Sequence, residues 1–195
     1  ALVIDHTKHL NRVVSFDPEN AAAATNMSER DNVDGLRVAE DRSGGTLTDV
    51  VAPSAGLKLP VGIALHKGAL YVGDYQTSKI HKFSLDGTQL AEVTVEQATP
   101  NGGLTGITFG PDGKLYVHNG DGFDASTALN LNSFRGKILR LNLDGTAPAD
   151  NPYYNAANGI TATDYVYAYG FRNPFGGSWR AADGRARHAF VAASL

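Results

Sequence analysis

The sequence contains no cysteine. A chain without thiols cannot form disulfides, use a thiolate nucleophile or build a zinc site on cysteine ligands, so these three kinds of chemistry are excluded. The absence is compatible with the cytoplasm and with the periplasm alike.

A strong net charge and a long apolar run are also lacking. The 17 basic and 20 acidic residues leave a formal net charge of −3, which offers no attraction to nucleic acid or to an anionic membrane surface. No stretch of the sequence approaches the run of about 20 apolar residues that a membrane-spanning helix requires. We therefore expect neither a nucleic-acid partner nor a membrane span.

Glycine, in contrast, is abundant. It accounts for 22 of the 195 residues, or about 11%, against about 7% in an average protein. This excess is typical of short strands joined by tight turns, because glycine adopts the positive φ angles that many such turns need. Hydrophobic residues make up 42% and charged residues 19%, which is the balance of an ordinary globular domain rather than of a disordered segment.

A sequence pattern recurs along the chain with a period of 45 residues, the distance from Leu70 to Leu115. Each copy consists of a short apolar strand, a polar loop, a strand in which apolar and polar residues alternate, and an Asp-Gly or Asp-Pro turn. A further strand precedes two of the copies, so the unit contains four strands. A looser copy begins at Leu2, and the 68 residues from Leu2 to Leu70 predict an insertion or long loop around residues 28–50.

A four-stranded unit of this length is typical of a β-propeller blade. We therefore predict an all-β fold, a β-propeller of four-stranded antiparallel blades, which forms a single domain over residues 1–195. A β-sandwich also contains short strands and turns, but it would not repeat its sequence with this period.

The segment from Arg135 to Pro174 carries a more specific pattern. Its distinctive strings, together with one upstream, are Gly110–Val117 (GPDGKLYV), Gly136–Thr146 (GKILRLNLDGT), Pro148–Pro152 (PADNP) and Tyr169–Pro174 (YGFRNP). They resemble the soluble glucose/sorbosone dehydrogenase family, six-bladed propellers that oxidise sugars with pyrroloquinoline quinone (PQQ). The resemblance covers about residues 104–175. Six blades would need about 270 residues, so the resemblance implies a partial ring of about four blades, a fragment of a longer chain.

The resemblance implies an oxidoreductase: a quinoprotein sugar dehydrogenase with PQQ and calcium as cofactors and a small-molecule sugar as substrate. It further implies an electron-acceptor protein as a candidate partner and a periplasmic or extracellular (secreted) location. Within the YGFRNP string it assigns cofactor binding to Arg172 and Asn173. A planar guanidinium can bind the carboxylates or carbonyls of PQQ and stabilise negative charge on the quinone oxygen. The alternative is a surface arginine followed by an Asn-Pro turn.

The catalytic histidine of the family has no counterpart at its expected place. It precedes the Gly-Pro-Asp turn by several residues, where this chain has Pro100, Asn101 and Gly102, none of which can act as a general base. His118 is the substitute candidate, because it follows the apolar strand Leu115–Val117, which we expect to face the central channel. The alternative is a hydrogen-bonded structural histidine.

Acidic residues in the loops are candidate calcium ligands. Asp121 and Asp124 lie in the segment Asn119–Asp124, and Asp74 follows the equivalent strand of the preceding repeat. An EF-hand is excluded, because Asn130 stands where such a loop needs its bidentate glutamate. The alternative is that these carboxylates stabilise turns.

Three functions remain open at this point. The leading hypothesis is an enzyme, a PQQ-dependent aldose or sorbosone-type dehydrogenase that is active only as a complete chain. The second is a non-catalytic ligand-binding propeller that has lost the base, which the missing histidine favours. The third is a metal-dependent, lactonase-like hydrolase, which would need a carboxylate and two asparagines around one calcium ion.

Overall fold

The computed structural model of the protein describes residues 2–5, 10–16, 22–23, 42–43, 47–95, 103–179 and 186–192. Most of the regular structure in these ranges is β-strand. The strands are β1 (Leu2–Asp5), β2 (Arg12–Phe16), β3 (Ala22–Ala23), β4 (Arg42–Ser43), β5 (Leu47–Val51), β6 (Pro60–His66), β7 (Ala69–Asp74), β8 (Lys79–Ser84), β9 (Gln89–Thr94), β10 (Leu104–Phe109), β11 (Leu115–Asn119), β12 (Lys137–Leu141), β13 (Val166–Tyr169), β14 (Phe171–Trp179) and β15 (Ala186–Ala192). Helical structure in these ranges is confined to single turns, namely α1 (Ser126–Leu129) and 3₁₀ turns at Pro53–Ala55, Ala156–Asn158 and Ala162–Tyr165.

The strands form antiparallel sheets whose order follows the chain. β6, β7, β8 and β9 make one four-stranded sheet, and β10, β11, β12 and β13 make another. β1, β2 and β5 form a three-stranded sheet, β14 pairs with β15, and β3 pairs with β4. These sheets confirm the predicted all-β fold, and the chain folds as part of a β-propeller with four-stranded antiparallel blades.

The two four-stranded sheets end their third strand with the same turn. Gly87 and Gly145 each have a φ of +85°, a conformation that glycine adopts without steric cost. In each turn the preceding aspartate accepts a hydrogen bond of 3.0 Å from the backbone N–H of the following threonine, as Asp144 does from Thr146. The repeat in the sequence therefore reflects a repeated local structure.

The first strand of each blade lies on the side of the central channel of the propeller. β1 contacts β6, β6 contacts β10, and β10 contacts β14, so these four strands are the innermost strands of successive blades. β9, at the far edge of its sheet, is exposed along its whole length. The expectation that the strand containing Leu115–Val117 faces the channel is therefore wrong. That strand, β11, is strongly apolar because it is buried between two neighbouring strands of its sheet.

Two apolar clusters fill the spaces on either side of the sheet β6–β9. Along β7, Leu70 and Val72 pack with Val13 of the three-stranded sheet. Tyr71, between them, points to the opposite face and packs with Leu104 of the next blade. Alternate side chains of a strand point to opposite faces of its sheet. Because this blade is packed between two others, both of its faces carry apolar side chains.

The predicted insertion around residues 28–50 lies mainly outside the described residues. Of this stretch, β4 and the first four residues of β5 are described, and both are paired strands. The insertion and the single domain over residues 1–195 stay predictions. In the part of the chain that the structure describes, no helix is long and apolar enough to cross a membrane.

Candidate functional site

A cleft of about 580 Å³ opens where the four innermost strands meet. It is lined by Ile4, Leu59, Pro60, Val61, Tyr75, Thr105, Asn173 and Phe175. Most of this lining is apolar, and the polar groups are one phenol, one hydroxyl and one amide. A concave, largely apolar surface with a few polar side chains is typical of a site for a small molecule.

Asn173 contributes the amide. Its Oδ1 atom is buried and has no hydrogen-bond partner among the described residues. Leaving a buried carbonyl oxygen unpaired costs about 1–3 kcal/mol, so this atom is suited to accept a hydrogen bond from a bound molecule or from water. The structure thus places this predicted cofactor contact in the cleft.

Arg172 lies beside Asn173 on β14 but differs from it in exposure. The pairing of β14 with β15 is irregular between Phe171 and Asn173, and Arg172 occupies this bulge with an exposed side chain. Its carbonyl oxygen accepts a hydrogen bond of 2.8 Å from the backbone N–H of Asp121. Bulges re-aim side chains, and this one leaves the Arg172 side chain accessible to solvent, while only the neighbouring Asn173 is among the lining residues of the cleft.

Asp121 and Asp124, the predicted calcium ligands, interact with their own loop. Asp121 is buried, and its Oδ1 accepts the N–H of Phe123 at 2.9 Å. Asp124 Oδ1 accepts hydrogen bonds from the backbone N–H and the hydroxyl of Ser126, at 3.2 and 2.6 Å. Within the described ranges no group of three or more histidine, aspartate or glutamate side chains is placed to hold a metal ion. The assignment of these two residues stays a prediction.

Asp74, the third acidic candidate, organises one wall of the cleft. Its carboxylate is fully buried and accepts four backbone N–H groups. The hydrogen bonds come from Lys58 (2.6 Å), Leu59 (3.2 Å), Gln76 (3.0 Å) and Thr77 (3.0 Å). Three of these donors adjoin or include the cleft residues Leu59 and Tyr75, so Asp74 holds two lining segments together.

His118, the predicted substitute base, does not line the cleft. It is fully buried on β11, where its backbone lies opposite Gly106 on one side and Ile138 on the other. Its Nδ1 faces Gly106 so closely that a Cβ atom on that glycine would lie 3.3 Å away. The innermost strand β10 therefore stands between this histidine and the channel side of the blade. Pro100, Asn101 and Gly102 lie outside the described residues.

Arg140 connects three of the distinctive sequence strings, a role that the sequence did not reveal. Its guanidinium donates to Asp112 Oδ2 at 2.9 Å, to both oxygens of Asp150 at 2.8 and 3.0 Å, and to Asn151 Oδ1 at 2.9 Å. The hydrogen bonds that it donates to Asp150, followed by those to Asp112, raise the pKa of Arg140 despite its burial. The GPDG and DNP strings are thus parts of one hydrogen-bonded cluster, formed by Asp112, Arg140, Asp150 and Asn151. We call this cluster the clasp, and it lies outside the cleft.

Comparison with known proteins agrees with this architecture. The family model of glucose/sorbosone dehydrogenase matches residues 24–187, which is most of the chain. The chain belongs to this family. The resemblance found in the sequence is thereby confirmed, and the fold is that of a sugar-dehydrogenase-type propeller.

Individual relatives match shorter stretches. An uncharacterized protein from Synechocystis sp. is 36% identical over 112 residues, which are 49% of this chain and 26% of that protein. The Hedgehog-interacting protein of Mus musculus is 31% identical over 125 residues, or 57% of this chain and 17% of that protein. Quinoprotein glucose dehydrogenase B from Acinetobacter calcoaceticus is 34% identical over 89 residues, 36% of this chain and 18% of that protein. The matches span about a quarter or less of the length of these relatives.

Proposed function

We propose that this chain carries part of the cofactor site of a PQQ-dependent sugar dehydrogenase, with Arg172 and Asn173 as the cofactor contacts. Membership of the glucose/sorbosone dehydrogenase family supports the proposal. The observation that carries it is the buried Oδ1 of Asn173 in the cleft between the innermost strands, which has no hydrogen-bond partner among the described residues; Arg172, the preceding residue of β14, is exposed.

The residues at the cleft suit a planar, anionic cofactor. PQQ supplies the ortho-quinone that accepts the hydride equivalent when a sugar hydroxyl is oxidised, and it carries three carboxylates. Arg172 would bind a carboxylate or a quinone oxygen through its fork of N–H donors and stabilise negative charge there. Asn173 would hydrogen-bond the ring system, while Leu59, Val61 and Phe175 exclude water around it.

The proton of the sugar hydroxyl needs a base, and the cleft has no histidine or acidic side chain among its described lining residues. His118 is the base that we propose within this chain. Because its ring lies behind Gly106, proton transfer through it would require movement of β10 or a water molecule. Calcium, with Asp121 and Asp124 as ligands, an electron-acceptor protein and a periplasmic or extracellular location are proposed on the family resemblance.

The proposal is tested by PQQ binding to the full-length protein. Arg172→Ala should weaken PQQ affinity by about 10- to 100-fold, because a hydrogen bond to a charged group contributes about 1.5–3 kcal/mol. The matched control is Arg12→Ala, which removes an arginine that is paired with Asp49 away from the cleft. Unchanged affinity in Arg172→Ala would show that this arginine is structural, and absence of PQQ binding by the unmodified protein would refute the proposal.

A non-catalytic binding propeller is the second candidate. It is favoured by the burial of His118 and by Pro100, Asn101 and Gly102 at the place of the family's histidine. One relative is named for an interaction rather than for a reaction, the Hedgehog-interacting protein. PQQ or sugar binding without dye reduction would support this candidate, whereas turnover with an aldose would exclude it.

A further inference from the structure

Lys137 is a fully buried cation at the start of β12. Its Nζ donates to three backbone carbonyl oxygens, those of Thr127 at 2.8 Å, Ala128 at 2.9 Å and Arg135 at 2.6 Å. An ammonium group has three donors, so this one is fully satisfied by the backbone. Burial lowers the pKa of Lys137 to about 8. No carboxylate among the described residues forms an ion pair with it, so a salt bridge does not explain its burial.

The three carbonyls belong to the loop 120–136, which connects β11 to β12. This loop also makes three hydrogen bonds with the start of β14. The N–H of Gly170 donates to Ala128 O at 3.0 Å, that of Phe171 donates to Gly136 O at 3.2 Å, and that of Asp121 donates to Arg172 O at 2.8 Å. The carbonyl of Ala128 thus accepts from both the ammonium of Lys137 and the N–H of Gly170, the residue directly before the strand that carries Arg172.

Gly136 brings the same elements close together. It has a φ of +65°, and a Cβ at this position would lie 2.6 Å from Phe171 O and 2.7 Å from the Cα of Ala128. Only a residue without a side chain allows β14 and α1 to approach to this distance. Gly136 permits the close contact between the loop 120–136 and the start of β14, and the neighbouring Lys137 holds this loop in place.

The preceding blade provides an internal comparison. Lys79 begins β8 as Lys137 begins β12, and Ile80 follows it as Ile138 follows Lys137. Lys79 is about a third exposed and pairs with Glu92, and the connection before it is only the four-residue stretch 75–78. Burial of the lysine therefore accompanies the long loop and the contact with β14, rather than the blade position as such.

We propose that Lys137 is a positioning residue of the candidate cofactor site: its ammonium group holds the loop 120–136 against the start of β14 and thereby sets the place of Arg172 and Asn173 at the cleft. The part of this inference that concerns PQQ rests on the proposed function. The part that concerns the geometry of β14 does not.

The test compares Lys137→Met with Lys79→Met, the same substitution at the equivalent position of the preceding blade. The first readout is amide hydrogen exchange at Asp121, Gly170 and Phe171, the three donors between the loop and β14. In Lys137→Met these amides should exchange at least about tenfold faster relative to those of β7 and β8, because local opening exposes them first. In Lys79→Met their relative exchange should stay unchanged.

The second readout is PQQ affinity in the full-length protein, which should fall about tenfold in Lys137→Met and remain unchanged in Lys79→Met. Wild-type exchange at the three amides, or equal acceleration of all buried amides, would overturn the inference. Should Lys137→Met fail to fold, Lys137→Arg is measured in the same way, because its fork cannot reproduce three convergent hydrogen bonds. Absence of PQQ binding by the unmodified protein would refute only the proposed function, since the exchange result still decides the positioning role.

Discussion

The hydroxyl group of Thr105 on β10 donates a hydrogen bond to the carbonyl oxygen of Pro174 on β14, across the boundary between two blades. The same hydroxyl lies 3.2 Å from the carbonyl oxygen of His118 within its own sheet. Thr105 therefore joins two blades immediately beside Asn173. Since a buried carbonyl needs donors, removing this hydroxyl takes a hydrogen bond from the carbonyl of Pro174 beside the cleft.

Thr105→Val should lower the free energy of unfolding by about 1–2 kcal/mol, because the shape is kept while a buried hydrogen bond is lost. Chemical denaturation measures this change. Thr108→Val, on the same strand but only half-buried, is the control and should have a smaller effect. Equal effects of the two substitutions would show that the hydrogen bond between the blades contributes no stability of its own.

Arg140 should contribute more stability than its counterpart in the preceding blade. Arg140→Met removes a guanidinium that binds Asp112 and Asp150, and it leaves the partly buried Asp112 without its cation, so we expect a loss of about 3 kcal/mol. Lys82→Met is the matched control, because Lys82 occupies the equivalent position and lies over the ring of Tyr71 at 5.6 Å. Its loss should stay below about 1 kcal/mol.

Arg140→Lys sharpens this comparison. A lysine keeps the positive charge but cannot make the paired hydrogen bonds to Asp150, so most of the loss should remain. Full stability of Arg140→Lys would mean that charge alone, rather than the geometry of the guanidinium, holds the clasp together.

Acid should weaken the same clasp. Burial opposes ionisation of Asp112, but hydrogen bonds from the N–H of Lys114, from Arg140 and from Tyr116 hold the pKa of its carboxyl below the ordinary value. An unfolded aspartate titrates near pH 3.9, so as the pH falls through this range the unfolded chain binds the proton first. The stability that Asp112 contributes is therefore complete above about pH 4 and is lost as the pH falls through its folded pKa.

Urea denaturation midpoints recorded between about pH 6 and pH 2 test this expectation. Asp112→Asn should be less stable than the unmodified protein at neutral pH, and the difference should shrink at the acidic end. A constant difference across the range would show that ionisation of Asp112 does not contribute.

The blades could be predicted from the sequence because the features that repeat with their period depend on residues close together in the chain. The Asp-Gly turns that end at Gly87 and Gly145 depend only on neighbouring residues, and they recur wherever the pattern does. The cleft depends on residues that are far apart in the chain. Asp74 binds Lys58 across 16 residues, and nothing in its own strand distinguishes it from a loop carboxylate. Strand apolarity does not reveal which strand of a sheet is innermost, so the sequence does not show that His118 lies on the second strand.

Asp74 and Asn119 occupy the same position of two successive repeats and perform opposite hydrogen-bonding tasks. Asp74 accepts four backbone N–H groups, whereas the Nδ2 of Asn119 donates to Phe134 O at 3.0 Å. In Asp74→Asn the side-chain NH₂ group would face backbone N–H groups that now donate to the carboxylate. Because two donors cannot pair with each other, we expect a loss of about 2–3 kcal/mol in the free energy of unfolding. Asn119→Asp would bury a carboxylate facing a carbonyl oxygen and should cost at least as much.

Asp49→Asn, at an exposed carboxylate that pairs with Arg12, is the control and should change stability by less than about 1 kcal/mol. Because Asp74 also holds the segments that carry Leu59 and Tyr75, Asp74→Asn should widen the cleft. The single tryptophan lies at the far end of β14, so a probe that binds in the cleft, such as PQQ, is needed to report this change. Wild-type stability together with wild-type PQQ affinity in Asp74→Asn would show that the carboxylate is not what organises this wall.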